Sequence, residues 1–127
     1  TFFNEDEKEL LVAFWKEIEH SYLLYGFNIS RFDIQYLKIR SVINQVKVKS
    51  MHIIDLRSIL YEPENFMKGS LRDFAQAFGF ETNTHNGSEI YDLWTKKEFK
   101  KIQEHCEEDV KITFELYKRM KECCLVL

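Results

Sequence analysis

Asp33, His105 and Asp109 are the residues whose types and spacing suit chemistry. Asp33 lies in YGFNISRFDIQYL, residues 25–37, where an apolar run stops at Gly26 and Asn28 and a single acid opens an amphipathic stretch. His105 and Asp109 lie in EHCEEDVKITFELYKR, residues 104–119, four apart and therefore on one face of a helix. Two carboxylates brought together by a fold, with an imidazole one turn from one of them, would suit a divalent-metal site that activates water. Taken singly, each has a plain alternative: Asp33 as an ordinary helix N-terminal acid, and His105 and Asp109 as members of a solvated helix face.

Such residues need elements that hold them. Asn4, with Glu7 three residues on, predicts a capping box, and Leu10, Leu11, Phe14, Trp15 and Ile18 repeat at helical spacing, so a helix is expected over residues 5–19. Thr1-Phe2-Phe3 reads as the end of a strand. Tyr22–Phe27 is short and continuously apolar, the pattern of a buried strand in a mainly parallel sheet. After a turn at Asn28-Ile29-Ser30, Phe32, Tyr36, Ile39 and Ile43 follow the helical period, which puts Asp33 at a helix start facing the carboxyl end of the preceding strand. Ligand sites in open α/β sheets lie at that end.

His52–Leu56 predicts a second strand, followed by a loop around Glu62-Pro63-Glu64-Asn65. Ser70 with Asp73 predicts a capped helix whose buried stripe is Leu71, Phe74, Ala75 and Phe78 and which ends at Gly79. Residues 81–89 read as a polar loop and Ile90–Thr95 as a short turn. Lys96–Glu122 is expected to be helical throughout, bent or restarted near Glu104, with Phe99, Ile102, Cys106 and Val110 as a buried edge.

At 127 residues, with 45% hydrophobic and 15% aromatic residues, the chain is long and apolar enough for one domain with a real core. One Pro and four Gly argue against linkers, and the longest apolar run is far short of a membrane span. Cys106, Cys123 and Cys124 form no CxxC pair, so reduced thiols in a cytoplasmic protein are expected, and zinc is not. The net charge of −3 advertises no polyanion partner, but its distribution is uneven. Residues 4–20 hold six acids against two bases, whereas residues 31–50 hold Arg31, Lys38, Arg40, Lys47 and Lys49 against Asp33 alone. A basic patch beside an acidic centre fits a phosphate-bearing substrate near a metal, and a solvated helix face explains the charges as well.

The two stretches that carry Asp33 and Asp109 resemble the second and third motifs of the DEDD 3′→5′ exonucleases, which have a ribonuclease-H-like α/β fold. GFNISRFDIQYL is similar to the family's Asn-x-x-x-Phe-Asp segment, and HCEEDVKITFELY to its Tyr-Cys-x-x-Asp-Val segment. Between them, a strand ending in Asp55-Leu56 and a Ser-Leu-x-x-Phe-Ala-x-x-Phe-Gly helix, Ser70 to Gly79, keep the family's order. The likeness is to the branch related to the exonuclease domain of family B DNA polymerases.

That resemblance implies two-metal hydrolysis of a phosphodiester with Mg²⁺ or Mn²⁺, which prefer hard oxygen ligands. Asp33 would reach a metal mostly through water and Asp109 would bind one directly. His105 would orient or deprotonate the attacking water, although it stands at the spacing where one branch has Tyr and where another has its His one residue earlier. Asn28 would position the terminal nucleotide or brace the turn, and Phe32 or Trp94 would stack on a base. The family's first motif, Asp-x-Glu, occurs nowhere in the sequence. With Thr1 rather than Met in first place, the chain is expected to be the later part of a larger exonuclease domain, lacking its first three strands and inactive alone.

The implied partner is single-stranded DNA or a DNA 3′ end, nucleoid-associated in the cell, with polymerase or repair domains attached. RNA stays open as a substrate. A different class of function is a degenerate exonuclease-like module that docks nucleic acid or protein without cutting.

Overall fold

The amide groups at the start of the first helix are capped by Asp6, not by Asn4. In the computed structural model, which describes residues 2–21, 23–60, 69–82 and 88–126, the chain divides into two units, Phe2–Leu60 and Tyr61–Leu127. In the first, α1 (Glu7–Glu19) begins where the Asp6 carboxylate accepts the Glu9 N–H at 3.0 Å. Asn4 instead accepts the Asp6 N–H at 2.9 Å, so the expected capping box is displaced by a better-placed acid. Phe2 and Phe3 belong to no strand, contrary to expectation; the Phe2 ring meets Phe14 edge-on at 5.8 Å. Helix α1 buries Leu11, Trp15 and Ile18.

A short parallel pair follows, β1 (Leu24–Gly26) and β2 (Ile53–Asp55), in register Leu24 to Ile53, Tyr25 to Ile54 and Gly26 to Asp55. Parallel neighbours need a crossover. Here it is a wide π-type helical turn, Ile29–Asp33, running into α2 (Ile34–Ile43). Both strands are shorter than expected: Phe27 leaves the first, and Leu56 opens α3 (Leu56–Leu60). The expected simple turn at residues 28–30 is already helical from Ile29. Gly26 is required there, because a Cβ would stand 2.6 Å from Ile29 Cγ2 as the chain folds back on the strand.

The helical period of residues 32–43 holds, but the face it defines points outward. Phe32 and Tyr36 are 66% and 58% exposed, and Ile39 and Ile43 are exposed too, while Ile34 and Ser41 are buried. Polar contacts with α1 select that orientation. The Trp15 indole N–H donates to Ser41 Oγ at 2.8 Å, Ser41 O–H donates to the Leu37 carbonyl at 2.6 Å, and the Arg40 guanidinium forks onto Glu7, with Nη2 to Oε2 at 2.6 Å.

In the second unit, α4 (Leu71–Ala77) has the predicted capping box. Asp73 N–H donates to Ser70 Oγ at 3.1 Å, and Ser70 N–H to the Asp73 carboxylate at 3.3 Å. Phe74 and Ala75 are buried, and Gly79 closes the helix at φ +78°. The expected turn at residues 90–95 is a helix, α5 (Glu89–Thr95). The long helix α6 (Phe99–Glu122) restarts after Lys97, at φ +55°, and runs unbroken past Glu104. It packs against α4 and α5, with Leu116 and Met120 buried. The expected buried edge is not one: Cys106 is exposed and Val110 is 63% exposed. The Arg119 guanidinium lies over the Phe80 ring, 5.1 Å from its centroid.

Thr1, Tyr22, the loop expected at residues 62–65 and residues 83–87 of the expected polar loop, with His85, lie outside the described residues. The architecture is mixed α/β, mostly helical with a small parallel sheet. No helix among the described residues is long and apolar enough to cross a membrane.

Candidate active-site residues

Asp33 ends the π turn. The Ile34 N–H reaches back to the Ile29 carbonyl, a five-residue bond that widens the helix entrance, and such turns recur at functional sites. Asp33 holds the N-cap position of α2 with helical backbone angles, and its carboxylate makes no capping hydrogen bond. Partial burial pushes its pKa above the ordinary carboxylate value; its own backbone N–H pulls the other way and the nearby Asp55 charge adds to the rise. An acid kept short of partners is available to a cation.

The turn is held by Asp55, only 8% exposed. Its Oδ1 accepts the Asn28 N–H at 2.8 Å and the Arg57 N–H at 3.1 Å. Its Oδ2 accepts the Ser30 N–H at 3.0 Å and the Ser30 hydroxyl at 2.6 Å. Burial raises the Asp55 pKa, but the bonds from Ser30, Asn28 and Arg57 outweigh it and hold the carboxyl below its usual range. Asn28 sits at φ +60°, a left-handed conformation Asn tolerates, so its backbone serves the brace. In the sequence Asp55 stands out only as the end of the second strand, with no partner assigned. The available signal was an acid closing an apolar strand, which is stable in a buried setting only if donors converge on it. Phe32, beside Asp33, presents its ring to solvent.

In the second unit the helix spacing acts as predicted: His105 Nδ1 lies 3.4 Å from Asp109 Oδ2. The imidazole is 18% exposed and the carboxylate half exposed. Burial pushes the Asp109 pKa up, His105 lowers it and Glu108 raises it, leaving a net rise. His105 also lines an open cleft of about 1140 Å³ between α5, α6 and Gly79–Glu81. Glu81, Glu89, Asp92 and Glu104 on that cleft make it a poor seat for a phosphate backbone, and Asp109 is not on its wall. Trp94 meets Phe99 edge-on at 5.3 Å.

Among the described residues, no three His, Cys, Asp or Glu side chains gather as a metal site. Asp33 and Asp109 have the hard oxygen donors that Mg²⁺ and Mn²⁺ prefer. They are too few: one carboxylate from each unit, in a sequence without Asp-x-Glu, does not by itself fit a two-metal centre.

A βαβ unit with an acid on the turn leaving its first strand is the α/β arrangement in which ligand sites lie at the carboxyl ends of strands. The chain belongs to the RNase H superfamily, which it matches over residues 2–121. The uncharacterized protein MJ0365 of Methanocaldococcus jannaschii is 37% identical over 140 residues, an alignment that covers 97% of this chain and 79% of that protein. No solved structure gives a significant match. Members of the superfamily are generally nucleases and generally use divalent metal ions.

Proposed function

We propose that the chain forms part of a divalent-metal-dependent 3′→5′ exonuclease acting on single-stranded DNA or DNA 3′ ends, of the DEDD type related to the exonuclease domain of family B DNA polymerases. The supporting observation is the setting of Asp33: an uncapped acid with a raised pKa, on a braced turn at the carboxyl end of a parallel strand. Asp109, also raised, with His105 one helical turn away, supports the same reading.

In the reaction, water adds to the phosphorus of the terminal phosphodiester, the bond to the neighbouring 3′ oxygen breaks, and a nucleoside 5′-monophosphate leaves. His105, its Nδ1 turned toward Asp109, accepts the proton of the attacking water. Asp33 and Asp109 would each offer a hard carboxylate oxygen to a divalent cation, which would supply the positive charge that the scissile phosphate needs; Asn28 holds the turn beneath the terminal nucleotide, and Phe32 stacks on its base. The Asp-x-Glu acids that complete this type of centre are not among these residues. Their absence favours one alternative, a non-cutting module that binds nucleic acid or protein.

The test is trimming of a 3′-labelled single-stranded DNA oligonucleotide in Mn²⁺, with RNA in parallel. The proteins compared are this chain, the full product of its gene, and that product carrying Asp109→Ala. Stepwise shortening of DNA by the full product, lost in the variant, supports the exonuclease. Shortening of RNA alone moves the substrate class, and no shortening of either leaves the module.

A further inference from the structure

Beyond Phe32, the exposed face of α2 has no use in the chemistry proposed for Asp33, yet it carries large apolar side chains that face solvent. Phe32, Tyr36, Ile39 and Ile43 form its crest at helical spacing, and Phe32 directly precedes Asp33. A stripe of this kind normally marks a binding surface. The charge around it indicates what binds. Residues 34–54 contain four bases and no acid. Arg40 is taken up by Glu7 and Lys49 by Glu19. Arg31, Lys38 and Lys47 are exposed and have no acidic partner among the described residues.

We infer that the outer face of α2 is a track for single-stranded nucleic acid, an inference that rests on the exonuclease reading for its direction: the strand leads away from its 3′ end at Asp33. Successive bases stack on Phe32, near the end of the π-type turn, and on Tyr36, in the first turn of α2. Arg31, Lys38 and Lys47 pair with phosphates along the flank. Stacking is tolerant of sequence because every base has a π-face, so this surface would grip a strand without reading it. The aliphatic residues Ile39 and Ile43 continue the apolar crest toward the helix end.

Fluorescence anisotropy of a labelled single-stranded DNA oligonucleotide, titrated with the full chain in EDTA at several KCl concentrations, measures the track without any cutting. Tyr36→Ala should weaken binding about 5- to 140-fold, the loss of one stacked base, while Tyr36→Phe should bind as the parent does. Lys38→Glu should weaken binding and reduce the salt slope by about 0.7 for each phosphate that is no longer neutralised. All three variants alter surface positions, and circular dichroism verifies that each folds. Sedimentation of the same proteins tests the other occupant: if Tyr36→Ala leaves DNA affinity within about twofold and instead dissociates a dimer, the face packs against a second copy and the track is overturned. Parent protein that binds no DNA, or an affinity in Tyr36→Ala and Lys38→Glu equal to the parent's, overturns it as well. Binding that depends on Tyr36 and Lys38 in a full gene product that trims nothing would instead sink the exonuclease and keep the track.

Discussion

Asp55 joins the two strands to the turn that carries Asp33, and its removal has a consequence that can be worked from its hydrogen bonds. Asp55→Ala strands four donor interactions, from the N–H groups of Asn28, Ser30 and Arg57 and the Ser30 hydroxyl. Bonds to a charged acceptor contribute about 1.5–3 kcal/mol each, but these share one carboxylate and lie only partly out of water, so about 3–5 kcal/mol is expected in total. Asp55→Asn separates the two oxygens. An amide oxygen in the Oδ1 position keeps Asn28 and Arg57, and the Ser30 hydroxyl can rotate to accept from the new NH₂. The Ser30 N–H then faces a donor, which costs about 1–3 kcal/mol.

Urea unfolding followed by Trp15, in a Trp94→Phe background so that only the Asp55 unit reports, measures both variants. At a urea slope of about 2 kcal/mol/M, the alanine variant should lose about 2 M in midpoint and the asparagine variant about 1 M. The pH dependence has a fixed sign. The folded pKa of Asp55 is depressed, so its stabilisation is complete above the unfolded carboxylate value of about 3.9 and is lost as pH falls through the lower folded value. Equal midpoints for the parent, Asp55→Asn and Asp55→Ala, or a gap that does not shrink in acid, would refute the brace.

Two further outcomes are expected. Ser41→Ala removes the acceptor of the buried Trp15 indole N–H, so the chain should lose about 1–3 kcal/mol by the same denaturation, with a shift in Trp15 emission. Asp109→Asn should abolish any trimming by the full gene product yet raise thermal stability at pH 7. The folded pKa of Asp109 is raised, so its ionised form is a cost at pH above that value, and the gain should vanish as pH falls through it; melting curves across pH test this sign.

Local order was legible from the residues. The Ser70–Asp73 capping box, the left-handed Gly79, the one-turn spacing of His105 and Asp109 and the positions of two apolar strands all came from rules that reach only a few residues along the chain. Even so, Asp6 displaced Asn4 as the cap, and the restart before α6 lay at Lys97 rather than near Glu104, because neighbouring candidates for a cap or a break differ by little in local terms.

What the residues alone determined is therefore where most helices and both strands lie and, through the resemblance they carry, the ribonuclease-H-like kind of fold. Only the tertiary structure decided which helix faces are covered and what each acid meets. The period of α2 is a property of the helix, but its orientation follows from Trp15–Ser41 and Arg40–Glu7, contacts between residues 26 and 33 positions apart. In the same way Asp55 and Asn28, 27 positions apart, become one brace only when the strands pair. A helical or strand pattern records the spacing of side chains along a few turns; which partner lies opposite is set by the closure of long loops, and no window of sequence contains that information.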